Sequence, residues 1–235
     1  MKNLSLYQDK IPDESIDVII TDPPYGSNVQ YLELSHFWYV WNKDLYYKKP
    51  SYEMEAVANR KKGFKGAKTM HDYEQNLYKV FCDCYRVLKK EKYMALTFNS
   101  RDMGAWLALL FAIFRSGFTI NVDDIYFQSG VKNYKQTSHS KYAGSAFGDY
   151  IYIFKKSKVV PNKIYESEKE FSFDLEETMA KYLQESDSNV DKYILVSNML
   201  KEMIPSVENF SKTYLNDNEH YLFKKFNKTY LKTIY

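Results

Sequence analysis

Asp22, Pro23, Pro24 and Tyr25 follow the apolar, β-branched run Asp17-Val18-Ile19-Ile20-Thr21, and their side-chain types suit one kind of chemistry. A carboxylate accepts hydrogen bonds on two oxygens. Two successive prolines fix φ and carry no N–H, so the chain past Asp22 cannot continue a strand ladder, and the Asp22 and Pro23 carbonyls stay free as acceptors. Tyr25 adds an aromatic face. Acceptors beside a ring suit the capture of an extruded nucleobase, with its exocyclic amine turned toward the carboxylate.

The elements that must position this turn are legible in outline. Residues 17–21 lack polar alternation, as does a strand buried on both faces of a parallel sheet. Ligands in such sheets bind at the carboxyl ends of strands. Tyr31, Leu34, Trp38 and Trp41 recur at helical spacing and predict a helix over 29–42 whose aromatic face is core. Residues 43–69 break that pattern and read as a mobile basic loop. Its Arg60, Lys61, Lys62, Lys65 and Lys68 have no acid among them, which suits contact with phosphates, although a solvated surface loop looks alike.

Residues 72–90 carry a helical period ending in Lys89-Lys90, cations that favour a helix C-terminus. A buried strand is expected over 93–98, then a loop in which Ser100 or Asp102 caps a helix over 104–114. That helix stops at Ser116-Gly117. Residues 118–127 and 149–154 read as a strand pair, joined by a polar loop with Lys132, Lys135, His139, Ser140 and Lys141. Residues 157–186 are charged and loosely patterned, and 187–204 form an apolar-faced helix. The tail from Phe210 alternates aromatics with lysines, as a helical cap would. Nucleic-acid contact is the lesser reading of that tail.

The tetrapeptide, its lead-in 12–21, the segment from Gly26 through Trp41, the stretch 105–118 and the strand 149–155 together resemble the amino-group DNA methyltransferases of the Asp-Pro-Pro-Tyr type. The resemblance covers roughly residues 1–156. It implies a class I, Rossmann-like α/β sheet, S-adenosyl-L-methionine as cofactor, DNA as partner, and direct methyl transfer to a flipped adenine N6. Asp22, Pro23, Pro24 and Tyr25 would be catalytic. Asp22, Phe98 and Asn99 would meet the cofactor, and Tyr25 with Arg60, Lys61, Lys62, Lys65 and Lys68 would meet DNA. Cytosine N4 is the alternative target, and methylation of an RNA or protein amine is a weaker one.

One part of that family's pattern is missing. The sequence has 8 glycines, none after residue 148, and no Gly-x-Gly to cradle a nucleotide cofactor. The expectation is therefore a catalytic half, 1–156, with a basic insertion at about 43–69 and a mostly helical appendage over 157–235. The cofactor-binding half would lie on a partner chain or be cut off at a fragment boundary, or the unpaired strand would lead to a homo-oligomer. A degenerate, non-catalytic relative that binds DNA or a partner subunit is the competing reading.

Composition narrows the rest. At 235 residues the chain can bury a full core. Its net charge of +3 makes any nucleic-acid footprint local rather than global. Cys82 and Cys84 lack zinc-site spacing, and no metal is expected. Neither a signal segment nor a membrane span is legible, so the expected location is the cytoplasm.

Overall fold

The computed structural model describes residues 11–42, 52–59, 63, 66–100, 102–129, 148–157, 163–184 and 192–213. The elements run β1 (Ile16–Thr21), α1 (Tyr31–Trp41), a 3-10 turn (Tyr52–Met54), α2 (Met70–Val87), β2 (Leu88–Phe98), α3 (Met103–Arg115), β3 (Thr119–Ser129), β4 (Gly148–Lys155), α4 (Glu168–Gln184) and α5 (Lys192–Thr213). The described strands form one 4-stranded sheet in the order β1-β2-β4-β3. β1 and β2 are parallel, while β4 runs antiparallel to both β2 and β3.

One face of this sheet is filled. Met94, Leu96 and Phe98 of β2 and Tyr150, Tyr152 and Phe154 of β4 point into it, and all are buried. Against them lies α3, whose residues from Met103 to Phe114 are all buried, as its all-round apolar sequence requires. Trp106 packs edge-on against Phe98 and Tyr150 at 4.9 and 5.4 Å between ring centroids. Phe111 joins Phe171 of α4 and Phe210 of α5, so these two helices share the sheet's core.

The opposite face is open among the described residues. Val18 and Ile20 are 57% and 80% exposed, and Tyr93 beside them is also exposed. The expectation of a strand buried on both faces is thereby corrected. β1 is an edge strand covered on one side, and its unbroken apolar run came from a face that no described element covers. The same correction applies to α1. The helix forms where its spacing predicts, but none of its residues is buried, and Tyr31, Leu34, Trp38 and Trp41 face outward.

One boundary also moves, and one helix is added. Lys89 and Lys90 do not end a helix but open β2, because Leu88 already has extended backbone. There β2 bulges against β1, its register jumping from Ile16↔Leu88 to Val18↔Tyr93, with Glu91 at φ 60°. Lys89 instead pairs with Asp17 at 2.9 Å. In the segment read as loosely patterned, α4 forms with Phe171, Leu175 and Met179 buried.

Candidate active site

The turn after β1 sits at the carboxyl end of the parallel pair. Asp22 is exposed, and the Thr97 hydroxyl on the adjoining strand donates to its Oδ1 at 3.0 Å. Tyr25 is half-buried, tilted 59° against Phe98 with ring centroids 4.9 Å apart. Its hydroxyl donates toward Asp149 Oδ1 at 3.5 Å. Burial first, then the Asp149 and Asp22 carboxylates, push the Tyr25 phenol far above its usual range, so it stays a neutral donor.

Support comes from beneath. The Pro24 carbonyl accepts the Tyr73 hydroxyl at 2.6 Å and the Gly26 N–H at 3.2 Å. Gly26 has φ 63°, and a Cβ there would lie 2.8 Å from Ala105 Cβ, so α3 presses directly on the turn. Ala58 N–H donates to the Gly26 carbonyl, tying the segment after α1 to the same place. Gly148 accepts a 2.6 Å hydrogen bond from Asn99 Nδ2, and its own φ of 149° leaves no room for a Cβ, which would sit 2.1 Å from Gln128 O. That clamp brings Asp149 to Tyr25. Tyr31, at the start of α1, feels the same site: burial, then the Asp22 and Glu55 charges, raise its phenol.

The turn residues thus gather as their spacing suggests, whereas the other sequence candidates divide. Phe98 is fully buried, so its ring supports Tyr25 and Trp106 and offers no surface to a cofactor. Asn99 is 93% buried and its amide is committed to Gly148, which makes it a clamp within the fold. Lys68 is engaged within the fold. Its ammonium donates to the Tyr52 and Glu55 carbonyls at 2.7 and 2.8 Å and pairs with the Glu55 carboxylate at 3.3 Å, with only 9% of the side chain exposed. Its donors are used on these groups of the protein itself. Arg60, Lys61, Lys62 and Lys65 lie outside the described residues, as does the polar loop from Lys132 to Lys141.

Thr97, Tyr73 and Asp149 escaped sequence reasoning. Each is ordinary in its own element, and only strand pairing and helix docking bring it to the turn. The Gly148-Asp149 step opening a strand is the one signal that was available. No group of His, Cys, Asp and Glu suited to a metal occurs among the described residues, and no described helix is long and apolar enough to cross a membrane.

A mixed sheet with a carboxylate, two prolines and a braced aromatic at its parallel carboxyl edge is a Rossmann-like α/β core. The chain belongs to the DNA methylase family of the N6 and N4 type, whose model matches residues 16–232. That match continues far beyond residue 156, where the sequence resemblance was expected to stop. Two solved structures of a candidate DNA modification methylase from Thermus thermophilus are similar. One is 11% identical at a TM-score of 0.36; the other, complexed with S-adenosyl-L-methionine, is 13% identical at 0.35. Both comparisons cover 77% of this chain, which spans only 61% of those chains. No protein of curated function matches the chain.

Proposed function

We propose that this chain is the catalytic and target-binding part of a DNA adenine N6-methyltransferase that uses S-adenosyl-L-methionine. The single observation that carries the reading is Asp22, held by Thr97 and followed by Pro23, at the carboxyl end of the parallel strands. An amine conjugated to a purine ring is a weak nucleophile, since its lone pair is delocalised. Asp22 and the Pro23 carbonyl each accept one N–H, which draws the nitrogen toward tetrahedral geometry and frees that lone pair. Asp22 also faces the positive charge that develops on the amine. Tyr25, braced on Phe98, offers the stacking surface that offsets part of the few kcal/mol needed to unstack a base.

The cofactor, when bound, supplies an electrophilic methyl group. The residues present fit only its reacting end: acceptors and a ring line the site, whereas no Gly-x-Gly turn for its nucleoside occurs in the sequence. That half is assigned to another chain or another segment of a longer one. The outer edge of β1, unpaired among the described residues, the exposed Val18 and Ile20, and the outward aromatics of α1 supply the surface it would cover. DNA is the substrate partner, and adenine is favoured over cytosine by Asp22 at the head of the turn. The missing turn also favours a second reading, a non-catalytic relative that supports a partner subunit.

The test is incubation of the full chain with S-adenosyl-L-methionine and DNA, alone and with a glycine-rich methyltransferase half supplied in trans, followed by nucleoside analysis. N6-methyladenine that disappears in Asp22→Ala is the expected result. N4-methylcytosine would reassign the target, and no methylated base under either condition would leave the non-catalytic reading in place.

A further inference from the structure

We propose that Tyr73 is a positioning residue of this site, fixing the Asp22 to Tyr25 turn through the Pro24 carbonyl so that this carbonyl is turned inward and the exposed Asp22 carboxylate faces the base. The inference rests on the base-capture reading above. Tyr73 stands in the first turn of α2, and its place is set by a capping box: Asp72 N–H donates to Thr69 Oγ1 at 3.2 Å, and Thr69 N–H donates to Asp72 Oδ2 at 2.7 Å. From that fixed start the ring is fully buried and its hydroxyl reaches Pro24 O at 2.6 Å. Burial holds the phenol well above its usual range, so it remains a donor at every working pH.

Geometry then sorts the acceptors of the turn. A carbonyl oxygen has two lone pairs, and Pro24 O spends both, on Tyr73 and on the Gly26 N–H at 3.2 Å. With the proline rings fixing φ at both positions, holding the Pro24 carbonyl inward also sets the plane of the peptide before it. Ala105 blocks retreat from the other side, since Gly26 already lies too close for a Cβ. The turn is gripped between α2 and α3, and its solvent side keeps the exposed Asp22 carboxylate. Losing the Tyr73 hydroxyl releases one of the two donors without orphaning the acceptor, so the turn gains freedom while the buried ring still packs.

The experiment uses the full chain and an oligonucleotide carrying 2-aminopurine, with the fluorescence change reporting base capture and the anisotropy of an end-labelled strand reporting overall binding. Wild type is expected to change the fluorescence, and Asp22→Ala to abolish that change. Tyr73→Phe is expected to weaken capture by roughly three- to tenfold, the worth of one hydrogen bond, at unchanged overall DNA affinity. Gly26→Ala, which displaces the same turn from the α3 side, is expected to weaken capture likewise and serves where Tyr73→Phe does not fold. Capture unchanged in the folded variants overturns the role of Tyr73 alone. No response from wild type overturns the base-capture reading, and the inference falls with it.

Discussion

The Thr97 hydroxyl donates to Asp22 Oδ1 at 3.0 Å across the parallel β1 and β2 strands. The carboxylate is thereby held by the protein, with the Tyr25 hydroxyl also bonded to it, and in the proposed function it receives the incoming amine. Thr97→Val keeps the shape and removes the donor, so methyl transfer should fall about tenfold, the order expected for a hydrogen bond to a charged group at an exposed site. Thr97→Ser should restore most of the loss. Initial rates with adenine-containing DNA measure both.

Glu74 of α2 is buried and meets Arg115 of α3 at 2.7 Å, with the guanidinium also 4.4 Å above the Tyr78 ring. Desolvation raises the Glu74 carboxyl despite that partner. A carboxyl raised in the fold binds its proton more tightly folded than unfolded, so its ionisation weakens the fold as pH climbs through and above the ordinary value of 4.5. Urea midpoints should therefore show a decline in that window that vanishes in Glu74→Gln. Arg115→Leu, which strands the buried carboxylate, should cost on the order of 3–5 kcal/mol at neutral pH.

Cys84 is buried among apolar residues, and burial pushes its thiol up to about 12. The nucleophile is the thiolate. Alkylation of the folded chain at pH 8 should modify Cys82, which is only half-buried, well before Cys84. Mass spectrometry of the digested protein decides the order, and equal rates would mean that α2 opens readily.

The outward stripe of α1 should govern assembly more than folding. Trp38 and Trp41 are 63% and 76% exposed, so Trp38→Lys with Trp41→Lys removes apolar surface at little cost to the core. Thermal midpoints should stay within a few degrees of wild type, while association of the chain, read by sedimentation, should drop. A collapse in stability would place these rings inside the fold.

The helices α2 and α3, the strand pair β3 and β4, and the turn from Asp22 to Tyr25 were legible in the sequence. Their signals are local: Asp102 caps α3 by accepting from Gly104 N–H at 2.8 Å, Gly117 takes φ 108° at its end, and two prolines end a strand wherever they occur. Periodicity and backbone chemistry act over a few residues, so they survive in the linear text.

Which face is covered, by contrast, depends on what packs against it. A run such as Val18-Ile19-Ile20 records only that its residues are apolar. No described element packs on the face of β1 that carries Val18 and Ile20, so these two are exposed. Lys68 reads as a phosphate ligand beside its basic neighbours, and the fold closes the Glu55 carboxylate and two carbonyls around it. Likewise Thr97, Tyr73 and Asp149 reach the turn from Asp22 to Tyr25 across sequence separations of 49 to 124 residues. The sequence alone determined which side chains and backbone groups the turn carries, because they are adjacent in the chain. Tertiary structure decided its supports and its open side, because contacts between distant segments exist only once the strands pair and the helices dock.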